Sequence, residues 1–120
     1  MTTNVDMTVY HRSVDPETRQ DIYARYLVYG VLWEERKAAN VIESGLEDAD
    51  AVTVYVPIDA MEGVLIDRGD MIARGSVEKE VSPDYPMARL QREHSCALVT
   101  SVDRKDFGSP ALQHYEIGGK

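Results

Sequence analysis

The chain has 120 residues with a formal net charge of −8, from 21 acidic and 13 basic residues. That length gives one domain, residues 1–120, with a modest core, and that charge repels phosphate backbones, which argues against ordinary nucleic-acid binding. A single cysteine, Cys96, excludes an internal disulfide and fits a reducing compartment, and neither a secretory apolar segment nor the roughly 20 apolar residues of a membrane span can be found.

Met1–Asp6 reads as a polar, flexible N-terminal arm. Met7–Arg12 alternates as a strand, with Met7, Val9 and His11 on one face and Thr8, Tyr10 and Arg12 on the other. Asp15–Thr18 carries Pro at the second position of a type I turn. The run Asp21–Arg36 is ambiguous. Asp15–Pro16–Glu17 is also a good helix start, and Ile22, Tyr26 and Tyr29 keep helical spacing. Against this, its tyrosines and Trp33 favour strands, and Gly30 in mid-run would cost a helix about 1 kcal/mol. The reading is two strands, 21–28 and 31–36, joined or bent at Gly30. A loop follows over Lys37–Asp50, with a short helical turn at Ala38–Ile42. Ala51–Ile58 is the clearest strand, with Val52, Val54 and Val56 on one face and Pro57 at its end. Asp59–Asp67 connects onward, with room for a short strand at Val64–Ile66. Met71–Val77 is a further strand.

Residues 84–93 are read as a short helix, capped by Asp84 with Pro86 in its first turn. Ala97–Lys120 reads as a C-terminal β-hairpin. Its strands are Ala97–Val102 and Leu112–Ile117, the Asp103–Pro110 loop joins them, and Gly118–Gly119 is the stop. The fold expected is mainly β: a small antiparallel barrel or sandwich with that hairpin and one short helix. Open strand edges are expected to be covered by neighbouring subunits.

Little chemistry is legible. His94 and Cys96 share a strand face, and His114 could oppose them. A closed zinc site wants four ligands, so the preferred reading is a buried, metal-free thiol and two structural histidines. No third group or oxyanion hole accompanies Cys96 as a nucleophile. No catalytic residue, metal or cofactor is assigned. Arg68–Gly69–Asp70 spells an adhesion tripeptide that reads instead as the start of a strand. Asp103, Arg104, Lys105 and Asp106 mix signs at a loop tip: the simpler reading is a solvated loop, and the functional one is a protruding loop that forms a subunit contact.

Five stretches, in order, carry a resemblance: YHRSVDPETRQDIYARYLVYGVLW (Tyr10–Trp33), GLEDADAVTVYVPIDA (Gly45–Ala60), RGDMIARG (Arg68–Gly75), LVTSVDRKDFGSP (Leu98–Pro110) and HYEIGGK (His114–Lys120). Together they resemble a family of small, functionally uncharacterised proteins of tailed bacteriophages and prophages of Gram-positive bacteria, with a shorter segment between Asp59 and Arg68. The layout is similar to head-closure and connector proteins of long-tailed phages. The resemblance implies a non-enzymatic virion-assembly protein, present in the host cytoplasm and then in the virion. It would form a homo-oligomeric ring, with portal, adaptor or tail proteins as partners. DNA would pass through the channel unbound, since a ring of about six to twelve copies would carry roughly −48 to −96 charges. A tail-completion component and a small oligonucleotide/oligosaccharide-binding-like module are the alternatives.

Overall fold

Strands form where β-branched and aromatic residues alternate, in a computed structural model that describes residues 2–35 and 51–120. Among the described residues they are β1 (Val5–Val14), β2 (Asp21–Glu35), β3 (Val52–Pro57), β4 (Met71–Arg74), β5 (Cys96–Lys105) and β6 (His114–Gly119), with one α-helix, α1 (Met87–Glu93). Every pairing is antiparallel. The order β1-β2-β3-β6-β5-β4 closes when β4 pairs back onto β1, through Met7–Arg74 to Tyr10–Met71. The expected antiparallel barrel and its C-terminal hairpin are present.

The inward faces of the strands fill the barrel. Met7, Val9, Val28, Val54, Val56, Ile72 and Ile117 are fully buried there, with Trp33 beside them. The chain leaves β3 through a 3-10 turn (Ile58–Met61) and reaches β4 on the far side of the ring. On the way it plugs one end: Met61 is buried, and Ala60, Val64 and Ile66 pack on the core. The β1–β2 and β5–β6 hairpins turn at this same end, because successive neighbours in the ring run in opposite directions.

A second core lies outside the wall. The segment from β4 back to β5 lays Val77, Tyr85 and Leu90 over Tyr10, Met71 and Ala73. Met7, Thr8, Val9 and Tyr10 are therefore all fully buried, two facing inward and two outward under this cover. The Thr8 hydroxyl donates to the Gly75 carbonyl (2.8 Å) and accepts from Val77 N–H (2.9 Å), which satisfies it in the dry layer. Burying Leu90 fully stabilises by roughly 1.5–3 kcal/mol.

Several local expectations are corrected. The run from Asp21 is one continuous strand. It bends at a bulge where Tyr29 and Gly30 oppose Asp6 alone, and Gly30 takes φ +80, a conformation that glycine adopts without a Cβ clash. The bend lets one strand pair with β1 in its first part and with β3 in its last. Of the expected N-terminal arm, Asn4–Asp6 is tied down: Val5 and Asp6 belong to β1, and the Asn4 side chain bonds both N–H and C=O of Trp33. β4 stops at Arg74 rather than Val77, because the chain turns at Gly75 to begin the outer cover. Val64–Ile66 joins no strand ladder and serves in the plug. The helix begins at Met87 with Pro86 at its N-cap, since Ser82–Tyr85 forms a tight turn and Asp84 lies inside it. β6 starts at His114 and runs through Gly118 and Gly119, while Leu112 ends a 3-10 turn. The expected loop at Lys37–Asp50 and helical turn at Ala38–Ile42 lie outside the described residues, as does Arg36.

Candidate functional site

Polar and exposed apolar groups gather at the plugged end. Proline shapes both of its walls: Pro57 precedes the first 3-10 turn, and Pro110 opens the second (Pro110–Leu112). Arg104 on β5 sits opposite Tyr115 on β6, its guanidinium 5.9 Å from the ring centroid. Over this pair lies the first turn, and between them is a cleft of about 270 Å³ lined by Ile58, Asp59, Met61, Glu62, Arg104 and Tyr115. A second cleft, of about 250 Å³, shares Ile58 and Asp59 and is bounded by Pro57, Pro110, Ala111 and Gln113. On the loop beside it Phe107 is 74% exposed and Leu112 68%. Val14 and Ile22 are exposed on the neighbouring hairpin, and Leu65 on the plug.

The residues read as a loop-tip contact are placed differently. Asp103, Arg104 and Lys105 are the last residues of β5, paired with Glu116, Tyr115 and His114, and only Asp106 lies beyond the strand. The expected loop therefore shrinks to the residues after Lys105. Alternation divides the group. Arg104 lies with Tyr115 toward the barrel mouth, and Asp103 and Lys105 lie on the outer face. Arg104 Nε meets Asp106 Oδ2 at 3.5 Å, an exposed pair of small energetic weight.

The histidines and the thiol do not assemble. Cys96 opens β5, whereas His114 pairs with Lys105 at its other end, nine residues and roughly 30 Å of strand away. Among the described residues, no group of three or more His, Cys, Asp or Glu side chains could hold a metal ion. Cys96 is half-buried rather than fully buried, with Sγ 3.8 Å from the Leu90 carbonyl. Burial pushes its thiol up to about 11, so the thiolate that nucleophilic chemistry needs is suppressed near neutrality.

The sequence reading missed the most connected polar group. Asp70, 2% exposed, accepts from His11 Nδ1 (2.7 Å), Arg12 N–H (2.9 Å) and Asp67 N–H (2.7 Å). Its own carbonyl accepts from Val99 N–H, so one residue joins β1, the plug and β5. The turn requires Gly69, at φ +96 and with the Arg12 guanidinium 3.5 Å from where a Cβ would sit. The adhesion-like tripeptide is thus a structural turn that leads into β4. The only hint in the sequence is a Gly-Asp step before an apolar run, which is common to many turns.

Under the outer cover, Tyr10 Oη donates to the Lys79 carbonyl (2.6 Å), and burial pushes its phenol up to about 12. Tyr85 Oη and Arg89 Nε both donate to Glu93, whose carboxyl is held below its ordinary value by those two bonds, Arg89 first. The first contact ties the cover to β1, the second holds the helix to the turn that precedes it, and the third lies within the helix. No helix among the described residues is long and apolar enough to cross a membrane.

No curated protein and no solved structure matches this chain. A family model does match it, over residues 1–120, and the chain belongs to that family, a family of unknown function (DUF6751).

Proposed function

We propose that the protein is a non-enzymatic virion-assembly subunit of a tailed phage or prophage, forming a ring at the head–tail junction around the DNA channel. One observation carries the assembly part of this reading: of the seven large apolar side chains exposed among the described residues, five (Val14, Ile22, Leu65, Phe107 and Leu112) lie on the hairpins and plug at one end of the barrel, with Tyr29 and Leu98 on the wall. Clustered apolar exposure of this kind marks a surface that another protein covers. The closed barrel changes how neighbours would meet. Closure pairs the strands over part of their length only: among the described residues Asp21–Gly30 of β2 has a ladder partner in β1 alone and Val102–Lys105 of β5 in β6 alone, so neighbours can meet these edges as well as the loop tips. A ring of copies uses two different faces of each subunit, which leaves the plugged end to a portal, adaptor or tail protein. The phage setting comes from the ordered stretches that resemble phage and prophage proteins. The acidic surplus supports the channel, since a negative wall lets DNA slide without adhering.

Deleting the gene from a phage that carries it tests the reading. Electron microscopy of the lysate is expected to show packaged capsids that leak DNA or lack tails. Full, tailed, infectious particles in normal numbers would overturn it.

A further inference from the structure

We propose that the paired clefts at the plugged end dock an extended segment of a different protein, one that presents a lysine or arginine among apolar side chains. The proposal rests on the assembly reading and names the chemistry of the partner.

The two clefts share Ile58 and Asp59 in their walls, so an extended segment that reaches one is beside the other. Their walls offer apolar surface at Pro57, Ile58, Pro110 and Tyr115, and Phe107 and Leu112 stand exposed on the adjoining loop. Apolar side chains of a partner would remove that surface from water. Charge selects the rest of the segment. Asp59 and Glu62 line the cleft and make no ion pair among the described residues, whereas the single guanidinium there, Arg104, is already beside Asp106. The lining thus holds two carboxylates without an ion-pair partner and one guanidinium that already has one. Lys105 and His114 lie on the opposite face of their strands and do not offset them. A lysine or arginine can lay its aliphatic stem on the apolar wall and bring its head to Asp59 and Glu62. Two copies meeting mouth to mouth are the wrong occupant, because both mouths then present the same carboxylates to each other.

The test uses the full chain, labelled with 15N, and two blocked hexapeptides as probes: one alternating leucine with lysine, the other leucine with glutamate. The lysine peptide is expected to shift amide signals of Ile58–Glu62, Arg104, Phe107 and Tyr115, and the glutamate peptide to leave them in place. Binding should weaken about five-fold in the Asp59→Asn/Glu62→Gln variant, and further as salt is raised. Both side chains are exposed, and an unchanged spectrum elsewhere shows that the variant is folded. Equal effects of the two peptides, no binding of either, shifts confined to another surface, or undiminished binding by the variant would each overturn the proposal. So would the same shifts on concentrating the protein alone, which would make a second copy the occupant. Peptide binding is read independently of the deletion lysate, so failure of one leaves the other measurable.

Discussion

Asp70 offers a sharp test of what holds the plug to the barrel. Its carboxylate collects three donors in a nearly dry site, two of them backbone N–H groups on different segments. Truncation in Asp70→Ala leaves Arg12 N–H, Asp67 N–H and His11 Nδ1 without their acceptor. A hydrogen bond to a charged group is worth about 1.5–3 kcal/mol, and water entering the gap would recover part of the sum. The expected cost is therefore about 3–5 kcal/mol, a large share of the roughly 5–15 kcal/mol of a typical domain. Asp70→Asn separates shape from acceptance. One amide orientation turns its NH2 on Arg12 N–H, the other on Asp67 N–H, so a backbone donor is orphaned either way, at about 1–3 kcal/mol. Asp67→Asn is the control. Its exposed side chain accepts only from Arg68 N–H, and the change should stay within about 0.5 kcal/mol. Urea unfolding followed by Trp33 fluorescence measures all three, with the midpoint moving at constant slope. If Asp70→Ala unfolds within about 0.5 kcal/mol of the parent, the junction does not secure the plug and the argument fails.

Stability should also fall in alkali. Tyr10 ionises near 10 when unfolded and is held neutral up to about 12 in the fold, so its contribution is complete below pH 10 and lost as pH rises toward 12; Cys96 acts likewise between about 9 and 11. Tyr10→Phe should cost about 1 kcal/mol at neutral pH, through the lost bond to the Lys79 carbonyl, and flatten the decline above pH 10; an unchanged alkaline slope would refute the assignment. Arg19 has φ +59 in the β1–β2 turn, where a non-glycine residue pays about 1–2 kcal/mol, partly offset in glycine by the greater entropy of the unfolded chain. Arg19→Gly should thus stabilise by roughly 0.5–1 kcal/mol in the same unfolding assay, and a loss would show that the arginine makes compensating contacts.

Local pattern was enough for much of the architecture. Val52, Val54 and Val56 alternate and are all buried; the bend in the long second strand falls at Gly30; and β5 and β6 form the expected hairpin. These features are set by neighbours two residues apart and by backbone freedom at one glycine, which the sequence carries on its face. The loop reading of Asp103–Lys105 failed because charged residues look like a turn, while pairing with β6 keeps them in a strand. The candidate cleft was not legible, since its walls come from residues 57–62, 104 and 110–115, and only the plug brings them together.

The sequence by itself determined that this is a β protein with an acidic surface and a single thiol, because alternation, composition and charge are local or additive quantities. Tertiary structure alone decided that the barrel closes through β1 and β4, that β1 is buried on both faces, and that His11 meets Asp70 across 59 residues. An alternating strand specifies two faces but not what covers either one. The coverings come from connections distant in the chain, and their positions are set by ring closure, which no window of neighbouring residues records.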